Sequence, residues 1–144
     1  IYIQVMDPSH VCLFELKLAD KWFSECVRLQ ANNTCQHTFK TNVTLDCCHI
    51  IGRRNKAVRW SMDNAICMSR SSHRYFTENP LEFAMFCRQL LGAGHLDLLR
   101  EKSNQIYKTT KRIRQEIAKH YREQHRLLSD AMLDNGDYTI ISWN

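Results

Sequence analysis

Residues 46–54 read DCCHIIGRR, which places a histidine directly behind two cysteines and ahead of a glycine and two arginines. Cysteine and histidine bind zinc, paired thiols exchange disulfides, and a neutral imidazole with a pKa of about 6.5 accepts protons at cellular pH. Asn64 follows His49 by fifteen residues, and His73 follows Asn64 by nine. The stretch is a metal knuckle, a redox pair or the start of an active site, and the joint spacing of these three residues favours the last.

A His–Asn–His series at these intervals, across a strand-like run and a helix, resembles the HNH nuclease motif, also called the ββα-metal unit. The resemblance implies that His49 deprotonates a water molecule, while His73 and Asn64 hold a divalent cation that offsets charge on the phosphate. Asn64 has an alternative role, tying the hairpin loop to the helix through side-chain hydrogen bonds. Nearby cations are expected to bind DNA phosphates: Arg53, Arg54, Lys56, Arg59 and Arg74.

Longer stretches extend this resemblance. WFSECVRLQ, CCHIIGRR, AVRWSMDNA and HRYFTENPLEF together look like the phage recombination nuclease family called NinG or Rap, and HYREQHRLL at 120–128 resembles its C-terminal helix. The similarity covers roughly residues 19–128. It implies a metal-dependent DNA endonuclease that acts on branched recombination intermediates, encoded by a phage and located in the cytoplasm of the bacterial host.

The cysteines depart from a common pattern of such proteins, in which two C-x-x-C pairs clamp a structural zinc. The expected positions are 35 with 38, and 69 with 72, but position 38 is threonine and positions 69 and 72 are serine. Because a structural zinc nearly always takes four Cys or His ligands, we expect no four-cysteine zinc here. A rearranged cage of Cys35, His37, Cys47 and Cys67 stays open. Otherwise apolar packing holds the scaffold, with Phe39, Leu45, Ile50, Ile66 and Phe76 as candidates.

Cys48 departs from a second pattern, since many HNH proteins carry Asp or His directly before the catalytic histidine as a metal ligand. A thiolate is a poor partner for Mg²⁺, which prefers oxygen. Either Cys48 is buried, or the metal relies on His73, Asn64, water and the phosphate. The expected cofactor is Mg²⁺ or Mn²⁺, with Zn²⁺ as an alternative.

The elements that must position these residues follow from periodicity and turn signals. We predict a helix over 13–31, a hairpin over 34–51 turning at KTN, a helix running from about residue 61 to Pro80, a helix over 81–91 and a long helix over 96–132. The fold class is therefore α+β, with a small ββα-metal core, a flanking N-terminal helix and a helical C-terminal extension. Residues 1–95 would form the nuclease core and residues 96–144 a basic extension packed on it.

Charge indicates a polyanionic partner. The 144 residues carry a net charge of +5, but residues 46–74 hold six Lys or Arg against two Asp, and residues 100–126 hold nine against three Glu. Such basic blocks on an otherwise acidic chain favour binding to DNA, with Lys108, Lys111 and Arg112 extending the footprint. The alternative is that these side chains only solvate a helix face. A homodimer would suit a branched substrate with two arms, although nothing in the sequence demands it.

The seven cysteines do not indicate a disulfide-rich secreted protein. Their number is odd, no signal peptide is visible, and Cys12, Cys26 and Cys87 lie in apolar, helix-like surroundings, so a reducing cytosol is expected. No run approaches the roughly 20 apolar residues that cross a bilayer, so we expect no membrane partner. The main rival to a nuclease is an HNH-derived module that binds nucleic acid without cutting it, and a zinc-dependent regulator is the second rival.

Overall fold

The computed structural model describes residues 8–144, with side chains described from residue 14 onward. It is an α+β structure, as predicted, and the described residues form five α-helices and one two-stranded sheet. The elements, in order, are α1 (Pro8–Gln30), β1 (Leu45–His49), a 3₁₀ turn (Met62–Asn64), β2 (Ala65–Ser69), α2 (Arg70–Glu78), α3 (Pro80–Leu91), α4 (Ala93–Ser103) and α5 (Lys111–Leu133). No helix in this part of the chain is both long and apolar enough to cross a membrane.

The predicted N-terminal helix is confirmed as α1. It ends where Asn32 and Asn33 adopt positive φ values of 54° and 50°. Asparagine tolerates this left-handed conformation better than most residues, so the pair stops the helix. Phe23, Cys26 and Val27 bury one face of α1, as the apolar spacing indicates.

A two-stranded antiparallel sheet exists, but only the second strand of the predicted hairpin belongs to it, as β1, and the partner strand was predicted in the wrong segment. Strand β1 pairs with β2, which follows it by a fifteen-residue loop, and Cys47 faces Cys67 at the centre of the register. The segment predicted as a first strand is instead a tight turn, in which Cys35 N–H donates to the Lys40 carbonyl and Phe39 N–H to the Cys35 carbonyl. AICMS was assigned to a helix because short apolar runs suit either element.

Helix α2 begins later than predicted. Ser69 is its N-cap and accepts a hydrogen bond from the backbone N–H of Ser72. Consequently His73 lies on a helix as expected, but Asn64 lies in the 3₁₀ turn before β2 rather than at a helix start. Pro80 ends this segment and occupies the first turn of α3, where its missing N–H costs no hydrogen bond.

The predicted helix over 81–91 is confirmed as α3, which ends at Gly92 with a φ of 86°. The long helix predicted over 96–132 is wrong in its continuity, because residues 104–110 separate α4 from α5. Asn104 closes α4, and the Thr110 side chain caps α5 by accepting from Ile113 N–H. Ile106, which falls inside the predicted long helix, lies between the two helices and is 90% exposed.

Two apolar clusters flank the sheet. The first joins α1, α5 and the loop between the strands, with Phe23, Trp60, Ile117 and Tyr121 at its centre. The second packs α2 and α3 against the sheet through Ile66, Met68, Phe76 and Cys87, with Leu45 and Ile50 at its margin. Of the predicted scaffold residues, only Phe39 is wrong, since it is 77% exposed. The division at residues 95 and 96 stays a prediction.

Candidate active site

An open pocket of about 480 Å³ lies where α1, β1, α2 and the loop over residues 50–64 meet. His49 and His73, the two histidines singled out by spacing, both line it. The carboxylates of Asp20 and Asp46 and the guanidinium of Arg53 lie in the same wall. The fold therefore brings the candidate base His49 and the nearby cation Arg53 together with His73 of α2 and Asp20 of α1.

His49 is held in one orientation at the end of β1. Its Nε2 lies 2.9 Å from the carbonyl oxygen of Arg59, and its ring lies 5.7 Å from that of Phe23. A carbonyl can only accept, so Nε2 carries the proton and the neutral ring keeps its lone pair on Nδ1. Burial lowers the pKa of His49 below its ordinary value, with a smaller contribution from the charge of Arg53. At neutral pH this residue is consequently a neutral imidazole, with a proton on Nε2 and a lone pair on Nδ1.

Asp46 and His73 form a pair that joins β1 to α2. The Asp46 Oδ2 atom lies 3.1 Å from His73 Nδ1, while Oδ1 accepts from Arg70 at 3.1 Å. Burial alone would raise the pKa of Asp46, but the hydrogen bonds from Arg70 and His73 hold it below the ordinary value. Asp46 is therefore ionised and offers the oxygen ligand that Mg²⁺ prefers. It was missed as a site residue, although a carboxylate inside the otherwise apolar stretch LDCCH is a usable signal.

Asn64 requires a correction, because the structure places it in the loop-tying role rather than at the metal. The side chain is 0% exposed. Its Nδ2 donates to the carbonyls of Ile51 (2.8 Å) and Val58 (3.0 Å), and its Oδ1 accepts from Ile51 N–H at 2.7 Å. The amide is engaged on both sides within the loop and does not line the pocket.

Arg59 also requires a correction, since it is not available to DNA phosphates. Its Nη2 and Nε atoms grip the two carboxylate oxygens of Asp20 at 2.5 and 3.0 Å, and the side chain is only 12% exposed. Trp60 donates its indole N–H to the same carboxylate at 3.0 Å. This clamp fastens the loop to α1, and it fixes the carbonyl that orients His49.

The other predicted phosphate ligands differ in their surroundings. Arg53 lines the pocket with its side chain 63% exposed, while its neighbour Arg54 and Arg74 of α2 are also exposed. Lys56 is half-buried. In the C-terminal half, Lys108 is exposed, the ammonium of Lys111 lies 3.8 Å from Glu15, and Arg112 pairs with Glu116 at 3.0 Å. Of these cations only Arg53 lines the pocket, where its guanidinium lies 4.0 Å from the Asp20 carboxylate.

The four positions expected to carry a structural zinc do converge, although only one is cysteine. The buried Cys35 sulfur accepts from the backbone N–H groups of Thr38 (3.4 Å) and Ser69 (3.1 Å), and Ser72 N–H donates to the Ser69 hydroxyl at 3.2 Å. His37 contacts the Ser72 hydroxyl at 2.8 Å. In this chain hydrogen bonds link these positions, whereas in the four-cysteine pattern a zinc ion would link four thiolates.

The remaining cysteines take other surroundings. Cys48 is buried in the second cluster, and burial raises its pKa to about 12, which corresponds to the buried alternative considered for it. Cys47 faces the pocket, on the opposite side of the strand from Cys48. Within residues 14–144, no group of three or more Cys, His, Asp or Glu side chains has a metal-binding arrangement, and the cage of Cys35, His37, Cys47 and Cys67 stays a prediction.

Comparison with known proteins adds no relative: no family model, no curated protein and no solved structure matches the chain. The resemblance to HNH nucleases therefore depends on the quoted sequence stretches. Any function must be argued from the geometry of the pocket and its surroundings.

Proposed function

We propose that this chain is a metal-dependent DNA endonuclease of HNH type, with a ββα-metal unit formed by β1, β2 and α2. The observation that carries the proposal is the pocket in which a neutral His49 lies together with His73 and the ionised carboxylate of Asp46. A general base beside a ligand pair is what hydrolysis of a phosphodiester requires.

His49 would act as the general base. Its Nε2–H donates to the backbone carbonyl of Arg59, so the lone pair on Nδ1 is free to accept a proton from water. The resulting hydroxide attacks phosphorus as the bond to the leaving oxygen breaks. Burial favours the neutral ring, so the base is in its active form at neutral pH. The clamp of Asp20 on Arg59 keeps the carbonyl in place and so orients the ring without touching substrate.

Asp46 and His73 would hold the divalent ion. Two neighbouring ligands of an octahedral ion, each at about 2.1 Å, lie about 3.0 Å apart. In the structure Nδ1 donates to Oδ2 across 3.1 Å, a separation that fits this spacing, and binding of the ion would release the Nδ1 proton. When bound, the ion offsets negative charge on the phosphate and the leaving oxygen. Because Mg²⁺ commonly keeps several waters and takes one or two protein ligands beside substrate phosphate, two side chains suffice for Mg²⁺ or Mn²⁺.

The surroundings of the pocket support a DNA substrate. Arg53, Arg54 and Arg74 offer exposed guanidinium groups, which contact backbone phosphates without reading sequence. The convergence of positions 35, 38, 69 and 72 supports the ββα-metal scaffold, since that scaffold is often joined at these places. Branched recombination intermediates as substrate, a phage source, the host cytoplasm and a homodimer are proposed from the family resemblance.

The alternative is a module that binds nucleic acid without cutting. Two observations favour it: the withdrawal of Asn64 into the loop, and the burial of Cys48. Together they leave Asp46 and His73 as the predicted protein ligands.

Cleavage assays separate the two functions. Duplex, single-stranded, flap and four-way DNA would be incubated with Mg²⁺ or Mn²⁺, with and without chelator. We expect metal-dependent cutting that His49→Ala abolishes while binding is retained. His95→Ala is the matched control, because His95 Nε2 also bonds a backbone carbonyl (Asp63, 2.8 Å) but lies outside the pocket. Binding without cutting by the unaltered protein would support the module, and cutting by His49→Ala at the unaltered rate would refute the assigned base.

A further inference from the structure

A second groove, of about 540 Å³, lies between α1 and α5. Trp22 of α1 forms one side, and Lys119, Arg122, His125 and Arg126 of α5 lie around it. Neither the candidate base nor the ligand pair belongs to this groove. It therefore needs an explanation of its own.

Two cationic side chains lie close to the indole ring of Trp22 at this groove. The guanidinium of Arg122 lies 5.8 Å from the ring centroid, and the ammonium of Lys21 lies 5.2 Å from it. No described carboxylate lies within ion-pair distance of Arg122 or Lys119. Arg126, by contrast, is bound by Glu123 and Asp130 at 2.5 and 2.8 Å. Two cations beside a half-buried aromatic ring are thus left for an anionic ligand.

Lys21 connects the groove with the candidate active site. It lines the pocket, and its ammonium also lies over the Trp22 ring. Lys21 and Trp22 are consecutive residues of α1, so the pocket and the groove adjoin at this helix. A strand leaving the pocket over α1 reaches the groove within a few nucleotides.

We propose that this groove binds an unpaired DNA strand that extends from the scissile site, with a base stacked on Trp22 and phosphates on Lys119 and Arg122. This inference rests on the proposed nuclease function and adds the class of substrate. Aromatic rings bind unpaired bases, whose faces are free, whereas bases in a duplex are already stacked. An acidic peptide would use the cations but would gain nothing from the indole.

The test compares binding of a blunt duplex with that of the same duplex carrying an unpaired tail of about ten nucleotides, which is within the range of single-strand sites. Trp22→Ala and the double variant Lys119→Ala/Arg122→Ala should each weaken the tailed DNA by about tenfold. Both should bind and cut the blunt duplex within about twofold of the unaltered protein, because none of the substituted residues lines the pocket. The double variant Glu123→Ala/Arg126→Ala is the matched control and should change little, because both residues line the same groove and removal of their ion pair leaves the net charge unchanged.

A second measurement uses the unaltered protein, in case Trp22→Ala fails to fold. A tail carrying 5-iodouracil should cross-link under ultraviolet light to Trp22, rather than to Trp60 or Trp143. The inference would be overturned if the variants lost affinity equally for tailed and blunt DNA. It would also be overturned if cross-links formed only at residues other than Trp22. A third contradicting result would be that polyglutamate displaces the tail while Trp22→Ala leaves the affinity for the tail unchanged. If the tail binds at Trp22 but no DNA is cut in any metal, the groove stands and the proposed function fails.

Discussion

The side-chain amide of Asn64 grips the backbone of Ile51 from both sides, donating from Nδ2 to its carbonyl at 2.8 Å and accepting at Oδ1 from its N–H at 2.7 Å. A third bond runs from Nδ2 to the carbonyl of Val58. Ile51 lies two residues after His49, so the amide sets the path of the loop that leaves the candidate base. The arrangement buries the amide and keeps Asn64 out of the pocket lined by His49 and His73.

Replacement of Asn64 distinguishes a loop tie from a ligand. Asn64→Ala should lower the free energy of unfolding by about 2–4 kcal/mol, because buried backbone groups of the loop lose their partners. Asn64→Asp should be at least as damaging, since a carboxylate cannot donate to the carbonyls of Ile51 and Val58. Urea unfolding monitored by circular dichroism measures both.

The exposed Asn104 provides the control, and Asn104→Ala should change stability by less than about 0.5 kcal/mol. If Asn64→Asp instead folds with unaltered stability and binds Mn²⁺ more tightly, the ligand role of Asn64 would be restored.

The pH dependence of cleavage should report the environment of His49. Burial and Arg53 lower its pKa, and a base must be neutral to act, so the rate at saturating DNA should rise with pH through an inflection below 6.5 and then level off. Arg53→Ala removes a charge that lowers the pKa, so its inflection should move upward. Arg54→Ala loses the same type of side chain without a comparable effect on His49, so its inflection should stay in place. Equal shifts in both variants would contradict this explanation.

Cys35 should make stability depend on pH. Burial alone would raise the pKa of its thiol, but hydrogen bonds from the Thr38 side chain and from backbone N–H groups lower it from 9.0 to about 6. A pKa lowered in the native state contributes stability that is complete above pH 9 and is lost as pH falls toward 6.

Urea unfolding in chelator should show the difference between the unaltered protein and Cys35→Ser shrinking as pH falls from 9.0 to about 6. Cys87→Ser is the control, because burial raises the pKa of Cys87 to about 11 and its native thiol stays neutral over this range. If the stability difference between the unaltered protein and Cys35→Ser does not vary with pH, Cys35 is not a thiolate in the native state.

The convergence of positions 35, 38, 69 and 72 predicts that a zinc site can be installed. Thr38→Cys, Ser69→Cys and Ser72→Cys, together with native Cys35, should bind one equivalent of zinc and raise the melting temperature reversibly with chelator. The same triple substitution with Cys35→Ser has three thiols and should bind much more weakly. Failure of the four-cysteine protein to bind zinc would show that the side chains do not converge as the backbone does.

The amino-acid sequence predicts the site best where the chemistry is local. His49 and His73 are specified by spacing and by the elements that carry them, and the pocket brings them together. Asn64 and Arg59 look like ligands by residue type, but long-range partners decide their roles: the loop backbone for Asn64 and Asp20 of α1 for Arg59. Asp46 was not predicted as a site residue, because only the fold places its carboxylate beside His73.

The errors in the predicted secondary structure and core have similar causes. AICMS is too short for periodicity to separate a strand from a helix, and its pairing with β1 across the loop settles the matter. The break between α4 and α5 arises from local caps at Asn104 and Thr110, within a stretch that contains neither glycine nor proline. Phe39 reads as a core residue by type, yet its tight turn holds it at a φ of 61° and in solvent.

The most direct test of the account is the position of a bound ion. Crystals grown with Mn²⁺ would be measured at the manganese absorption edge to locate the ion by its anomalous signal. The account predicts a peak at about 2.2 Å from Asp46 Oδ2 and His73 Nδ1, on the side facing His49. A peak at the Cys35 cluster or beside Asn64, or none between Asp46 and His73, would contradict it.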